Sequence, residues 1–186
     1  MSNRACNLLA DDGLDLCWTY ENQFRPFPYM IIAHAARIAA EALGATRILE
    51  YGCGGSTVWL CILCPHAQIT SVEHDEAWRT RTMRLWSALA RAEVLLGSIS
   101  LIEALGDVQS NFDLVIVDGK SDERPAMMLQ GWTLLRPGGS LFLHDAQRPA
   151  YHDAINQLIT QGGLYVYDDR DSPTQAALVH LLKPAV

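Results

Sequence analysis

The sequence predicts an α/β protein with a doubly wound, mostly parallel sheet of seven strands, helices on both faces and a C-terminal antiparallel hairpin. Short β-type runs alternate with helical patterns from residue 29 to the end, the order that a parallel sheet requires. The run FDLVIVD is apolar almost throughout, which is typical of a strand buried on both faces. The last two strands are joined by a loop too short for a helical crossover, so they should run antiparallel.

The elements of the first half follow from hydrophobic periodicity and from their stop signals. We expect a helix over 29–43 that ends at Gly44, a strand over 47–51, a helix over 56–64, a strand over 68–73 and a helix over 76–90. A glycine-rich loop separates the first strand from the helix that follows it.

The second half continues the alternation. We expect a weak strand over 93–97, a helical turn over 100–105, a strand over 112–118, a helix over 122–135 ended by Pro-Gly-Gly, a strand over 140–144, a helix over 149–160 and strands over 164–168 and 176–182. The pattern predicts a single domain over 1–186 with a core over 29–186. Residues 1–28 form an N-terminal extension that packs against the sheet edge or serves as a lid over the strand ends.

Composition restricts the function. The chain has 186 residues, of which 49% are apolar and only 19% charged, so it is not a disordered protein. A net charge of −7 argues against nucleic acid or a membrane surface as partner, because both require a basic patch. The N-terminus lacks the apolar run of a signal peptide, and five cysteines, an odd number, indicate reduced thiols. We therefore expect a cytoplasmic protein without a membrane span.

Residues after the first two strands indicate a nucleotide-like ligand. The loop GCGGST lets a ligand approach bare backbone, and the following helix offers free N–H groups. Glu73 lies 21 positions beyond Gly52, close to the ~20-residue spacing at which an acid meets a ribose diol. A nicotinamide site is disfavoured, because Thr57 takes the place of the third glycine and the sequence has no Tyr-x-x-x-Lys pair.

Several ordered motifs together resemble the class I S-adenosylmethionine-dependent methyltransferases. These are EYGCGGS at the glycine loop, SVEHD after the second strand, FDLVIVDG at the fourth strand, LLRPGGSLFLHD through the fifth strand and the terminal hairpin. The resemblance covers about residues 45–183 and implies a Rossmann-like fold, S-adenosyl-L-methionine as cofactor and methyl transfer as the reaction.

The resemblance also assigns cofactor contacts by position. It implies that the methionine end is held by a continuous segment comprising Glu50, Tyr51, Gly52, Gly54, Gly55 and Ser56. Glu73 would hold the ribose and His74 would flank the adenine. Many members have an acid after the third strand that contacts the adenine amino group, but here Ser98 stands at that position and offers a weaker bond.

Catalytic candidates follow the fourth and fifth strands, whose carboxyl ends should meet in one cleft. They are Asp118, Lys120, His144 and Asp145, of which the imidazole suits a general base toward a hydroxyl. The alternatives are a strand-end histidine bonded to a carbonyl for His144, and a helix N-cap for Asp118.

Metal sites are left open by the sequence. Resemblance to metal-assisted O-methyltransferases suggests a divalent cation, with Mg²⁺ held by Asp118 and Asp145, although Ala146 replaces their usual asparagine. Cys61 and Cys64 form a C-x-x-C, but no second pair completes a zinc site, which favours two buried core side chains.

Arg124 and Arg148 follow the strand-four and strand-five loops, where surface ion pairs are favoured over contact with an acidic substrate. The sequence as a whole predicts a methyltransferase that acts on a small or medium-sized acceptor at oxygen. The alternative is a non-catalytic methyltransferase-like module that binds the cofactor or a protein partner. The acceptor and the oligomeric state are not encoded in any motif.

Overall fold

The computed structural model describes residues 30–86, 92–96, 111–170 and 176–185, which form one seven-stranded sheet covered by helices. The helices are α1 (Ile32–Ala42), α2 (Gly55–Leu63), α3 (Glu76–Trp86), α4 (Arg124–Leu134) and α5 (His152–Thr160), the last preceded by a 3₁₀ turn at Pro149–Tyr151. The strands are β1 (Arg47–Tyr51), β2 (Gln68–Glu73), β3 (Ala92–Leu96), β4 (Phe112–Val117), β5 (Leu135–His144), β6 (Leu164–Asp168) and β7 (Leu178–Leu182).

The strand order is β3-β2-β1-β4-β5-β7-β6. Neighbouring strands in the first part of this order, β3-β2-β1-β4-β5, are parallel to each other. Strand β7 is antiparallel to both of its neighbours, β5 and β6. The predicted fold class, with its seven strands and terminal antiparallel pair, is confirmed. Strand order reverses between β1 and β4, and in an open α/β sheet such a switch point is where ligands bind.

Three strands, β1, β2 and β6, have the bounds that the sequence predicts. Residues 1–28, the expected helical turn at 100–105 and the predicted end of the third helix at 87–90 lie outside the described residues. In the part of the chain that the structure describes, no helix is both long and apolar enough to span a membrane.

The fifth strand differs from expectation. Pro137-Gly138-Gly139 was expected to end the preceding helix, but α4 already ends at Leu134 and β5 begins at the next residue. Leu135 pairs with Phe112, and the register then shifts before pairing resumes at Ser140. Gly138 has a φ of +75°, which glycine adopts without steric cost. Pro-Gly-Gly therefore forms an irregular stretch within a strand, not the boundary of one.

Side chains of the central strands alternate between two cores. Leu49 and Tyr51 of β1 join a cluster with α4 and α5, which includes Trp132 and Leu158. Ile48, the residue before Leu49, belongs to the opposite cluster, which α1 and α2 cover. The double layer explains the apolar run of β4, because a strand with helices on both faces has no solvent side.

The amino ends of the central strands are joined by Asp113. Its Oδ2 accepts hydrogen bonds from the backbone N–H groups of Thr46 and Arg47 and from the Thr46 hydroxyl, at 2.7 to 2.9 Å. Arg136 Nε donates to Oδ1 at 2.5 Å. Burial disfavours the charged form, but these bonds outweigh it and lower the pKa of Asp113 to about 2. One ionised carboxylate thus connects β1, β4 and β5 at the end of the sheet opposite the glycine loop.

Candidate active site

The glycine loop begins at the carboxyl end of β1, against the end of β4. Gly52 donates from its N–H to Val72 O at 2.7 Å and has a φ of +92°. A Cβ at this position would lie 2.8 Å from Asp118 O. The backbone segments at Gly52 and Asp118 therefore approach each other so closely that only glycine fits at position 52. This contact places the first residues of the loop directly beside Asp118.

Glu50 precedes the loop and is fully buried. Its carboxyl accepts hydrogen bonds from the hydroxyls of Ser71, at 2.5 Å, and Ser56, which lie on β2 and at the start of α2. Burial raises the pKa of Glu50 to about 7, because desolvation penalises the charged form more than the hydroxyls favour it. The side chain therefore braces the loop between strand and helix.

Glu73 meets the glycine loop directly. This buried carboxylate accepts hydrogen bonds from the backbone N–H of Cys53 at 3.0 Å and of Asp75 at 2.9 Å. The Nδ1 atom of the exposed His74 lies 2.8 Å from it. The indole of Trp78 donates to Cys53 O at 2.5 Å. The glycine loop and the carboxylate of Glu73 are thus held side by side.

The other predicted cofactor residues have different surroundings. Gly54 donates from its N–H to the Thr57 hydroxyl at 2.8 Å, and Gly55 begins α2. The ring of Tyr51 is buried in the core near Gly131, so the backbone is the part of this residue that borders the loop. Ser98 lies outside the described residues.

A second polar cluster lies at the carboxyl ends of β4 and β5. Asp118 follows β4, His144 is the last residue of β5, and Asp145 comes next. His144 Nδ1 lies 3.2 Å from Asp118 Oδ1 and 3.8 Å from Asp145 Oδ1. Asp145 has a φ of +56°, a conformation that is uncommon for residues other than glycine and found at functional sites. The structure thus brings together three of the four side chains named as catalytic candidates. Lys120 is exposed and pairs with Asp122 and Glu123.

The tautomer of His144 follows from its neighbours. A carboxylate only accepts, so Nδ1–H donates to Asp118 and leaves Nε2 as a bare acceptor. Nε2 is buried and has no hydrogen-bond partner among the described residues. Burial disfavours the imidazolium, but the hydrogen bond and charge of Asp118, together with Asp145, outweigh this and raise the pKa of His144. His144 is therefore an oriented imidazole with a vacant basic nitrogen.

Arg124 joins this cluster, which corrects the expectation of a surface ion pair. It is 6% exposed, and its Nη2 donates to Asp118 Oδ1 at 2.9 Å. Its Nη1 donates to Asp145 Oδ2 at 3.3 Å and to His144 O at 2.8 Å. Arg148, in contrast, is exposed and reaches the Asp145 carboxylate from outside with its Nη2 at 3.3 Å.

His34 is a site neighbour that sequence reasoning missed. It lies on α1, fully buried, and its Nε2 donates to Asp169 Oδ2 at 2.7 Å. Its ring meets His144 edge-on, with ring centroids 6.1 Å apart. Tyr167 donates to the same Asp169 oxygen at 3.1 Å. The paired residues are 135 positions apart, so no local spacing indicates the contact.

The side chains of Asp118, His144 and Asp145 each offer an atom within 4.8 Å of the others, as metal ligands would. The oxygen and nitrogen donors suit a divalent cation. However, both carboxylates already pair with the Arg124 guanidinium. Cys61 and Cys64 are buried and form no disulfide, and they belong to no group of three or more metal ligands among the described residues.

Comparisons with known proteins agree with this architecture. A family described as "Methyltransferase domain" matches residues 49–146, from β1 to just beyond β5. No curated protein matches the chain by sequence.

Three solved structures are similar in fold, each at 16% identity and with a TM-score of 0.66. The O-methyltransferase TomG of Streptomyces achromogenes, in complex with S-adenosylmethionine, aligns over 98% of this chain and 91% of its own. An O-methyltransferase of Bacillus cereus, in complex with S-adenosylhomocysteine, aligns over 96% and 88%. Fibrillarin of Aeropyrum pernix, with natively bound S-adenosylmethionine, aligns over 79% and 74%.

Proposed function

The chain belongs to the methyltransferase domain family and is an S-adenosylmethionine-dependent methyltransferase, and from that premise we propose that it methylates an oxygen atom of a small acceptor molecule. The observation that carries the proposal is the buried Nε2 of His144, which is oriented through Asp118 and lies at the edge of the sheet that carries the glycine loop. We further propose that the reaction takes place in the cytoplasm.

The residues around the loop fit the cofactor by the chemistry of their donors and acceptors. Glu73 would hold the ribose hydroxyls, because a carboxylate accepts two hydrogen bonds at once. The backbone from Gly52 to Gly55, braced by Glu50, would hold the methionine end, and the exposed His74 would lie against the adenine. S-adenosylmethionine supplies a methyl group on a sulfonium, which is electrophilic without further activation.

With the electrophile provided, the protein has to orient the acceptor and remove its proton. A hydroxyl is a weak nucleophile until it loses a proton, and Nε2 of His144 is the acceptor for it. Asp118 receives the Nδ1–H bond and stabilises the imidazolium that forms. This need for a base supports oxygen as the methylated atom, since a neutral amine already carries a reactive lone pair.

A small acceptor is supported by charge and by similarity. The net charge of −7 disfavours a polyanion such as RNA. Two of the similar structures are named O-methyltransferases and align over nearly the whole chain, whereas fibrillarin aligns over a smaller part.

Methyl transfer from labelled S-adenosylmethionine to a panel of phenols, catechols and aliphatic alcohols tests the proposal. The matched methyl ethers and a structured RNA serve as comparisons. We expect label on at least one free hydroxyl compound and none on its ether.

Labelling of RNA alone, or of amines alone, would refute the assignment of the acceptor. Cofactor binding measured by calorimetry, without turnover on any substrate class, would favour the alternative of a non-catalytic binding module. Binding of NAD but not of S-adenosylmethionine would contradict the cofactor itself.

A further inference from the structure

We infer that Arg124 is the resident cation of the acceptor site, taking the place between Asp118 and Asp145 that a divalent metal would need, so that the chain binds no metal there. The inference deepens the proposed function and rests on it for the identity of the site. In this view the guanidinium of Arg124 supplies the positive charge that a metal cofactor would otherwise supply at this site.

The contacts of Arg124 with the carboxylates carry the first step. One terminal nitrogen donates to Asp118 Oδ1 and the other to Asp145 Oδ2, at 2.9 and 3.3 Å. The guanidinium thus bridges the two acids that follow neighbouring strands. The only group of metal-ligating side chains among the described residues consists of these two acids and His144. A metal ion would need carboxylates that already neutralise an internal positive charge.

Backbone anchors carry the second step. Arg124 Nε donates to Gly119 O at 2.8 Å, Nη1 to His144 O at 2.8 Å, and Nη2 to Asp118 O at 3.2 Å. Every nitrogen of the guanidinium is therefore bound to a backbone carbonyl, either in the loop after β4 or at the last residue of β5. These anchors remain when a carboxylate is protonated or turned aside. The positive charge of Arg124 therefore stays in place and repels a metal ion that approaches the two acids.

The local sequence explains how the arginine reaches this place. Arg124 is the first residue of α4, and the next residue is Pro125, which favours a helix start. The side chain lies across the ends of β4 and β5, and only 8% of it is exposed. A planar guanidinium with five donors suits this arrangement of several acceptors, and the single ammonium of a lysine does not.

Arg148 provides a matched comparison within the same site. Its Nη2 lies at the same distance of 3.3 Å from the same oxygen of Asp145. Its side chain is 46% exposed, so the pair is of the surface kind that contributes little. Removal of Arg148 takes away a positive charge of equal size without opening the buried position.

Titration with Mn²⁺, followed by the loss of the electron paramagnetic resonance signal of the free ion, tests the inference without any acceptor or turnover. We expect the wild type and Arg148→Ala to take up no Mn²⁺ at the site. Arg124→Ala should take up one ion, because the two carboxylates lose their cation and stand free beside the imidazole of His144. Adding Asp118→Asn to that variant should abolish the uptake.

Uptake of one Mn²⁺ by the wild type that disappears in Asp118→Asn would overturn the inference. So would an Arg124→Ala variant that folds, as judged by circular dichroism, and binds no more Mn²⁺ than the wild type. If Arg124→Ala does not fold, Arg124→Gln, which is neutral and keeps the first part of the side chain, takes its place with the same two outcomes.

The proposed function fails separately, through calorimetry with S-adenosylmethionine on the wild type. Cofactor binding together with Mn²⁺ uptake by the wild type would refute the cation role alone. Absence of cofactor binding, with the expected Mn²⁺ results, would refute the proposed function and leave the cation role standing.

Discussion

His144 is subject to two opposing influences at the scale of a single side chain. Burial and the nearby guanidinium of Arg124 disfavour its charged form, whereas Asp118 and Asp145 favour it. The carboxylates prevail and the pKa of His144 lies above its ordinary value of 6.5. A general base works only when unprotonated, so the raised pKa has a direct consequence for the pH dependence of the reaction.

We expect kcat to rise with pH and to level off only above pH 6.5, the ordinary value for histidine. His144→Asn should lower kcat by about 10²- to 10⁴-fold, the usual contribution of a general base. Its affinity for S-adenosylmethionine should not change. Turnover measured across pH, together with calorimetry, checks both parts.

Asp118→Asn is the companion variant for this prediction. Loss of the carboxylate lowers the pKa of His144, so the acid limb of the profile should move to lower pH. An acid limb that stays in place would contradict the role of Asp118 as the partner of the base.

Glu50 gives a second prediction at this scale. Its pKa in the folded protein is about 7, above the value of 4.5 expected after unfolding. Its stabilising contribution is therefore complete below pH 4.5 and is lost as pH rises through 7. The difference corresponds to about 3 kcal/mol.

Glu50→Gln, which does not titrate, should remove this loss. Urea unfolding between pH 4.5 and 7 should show the variant gaining stability relative to the wild type as pH rises. If the free energies of unfolding of the two proteins changed with pH in parallel, the result would contradict a buried, protonated Glu50.

At the scale of elements, the junction of β1 with the glycine loop depends on one backbone conformation. A methyl group on Gly52 would both strain a φ of +92° and lie 2.8 Å from Asp118 O. The ends of β1 and β4 would have to separate, and with them the loop and Asp118.

We expect Gly52→Ala to reduce the free energy of unfolding by about 3 kcal/mol, from backbone strain and overpacking together. It should also weaken S-adenosylmethionine binding by about 10-fold or more through misplacement of the loop. Chemical denaturation and calorimetry measure the two effects.

Gly162→Ala is the matched control. Gly162 has nearly the same φ, +94°, but nothing lies within 4 Å of its added Cβ. It should cost about 1 kcal/mol of strain and leave cofactor binding intact. Equal effects of the two changes on binding would contradict the importance of the contact between β1 and β4.

The elements also show what the sequence can predict. β1 and β2 were predicted to the residue, because each is a short β-type run with clear boundaries. The start of β5 was not, because Pro-Gly-Gly indicates a break unless the partner strand is known. Leu135 continues the sheet only because Phe112 lies beside it.

The same distinction applies to the candidate site. Glu73, Asp118 and His144 end predicted strands, so their position at one edge follows from the topology. The burial of Arg124 and the pairing of His34 with Asp169 arise from contacts between distant segments, which no spacing in the sequence indicates.

At the scale of the whole molecule, one end of the sheet carries a stabilising contact between strands and the other carries the candidate site. Asp113 joins three strands at the amino ends, whereas the loop and the polar cluster lie at the carboxyl ends. Stability and cofactor binding should therefore be separable by substitution.

We expect Asp113→Asn to lower the free energy of unfolding at neutral pH by about 2 kcal/mol, because the lowered pKa of Asp113 reflects that much stabilisation. The contribution exists above pH 3.8, the ordinary value, and disappears as pH falls through about 2. Urea unfolding at pH 7 and pH 2 measures it.

Cofactor affinity, measured by calorimetry below the unfolding temperature, should be the same in Asp113→Asn and the wild type. A variant as stable as the wild type, or one that loses cofactor affinity while folded, would show that the two ends are not independent.

The insertion of β7 between β5 and β6 has a consequence for biosynthesis. The strand that delivers His144 lies between β4, made before it, and β7, made after β6. Since domains are synthesised from the N-terminus onward, one flank of β5 stays unpaired until Leu178–Leu182 emerges from the ribosome. The cofactor half of the sheet can assemble on the nascent chain, but the histidine acquires its final surroundings only with the last strand.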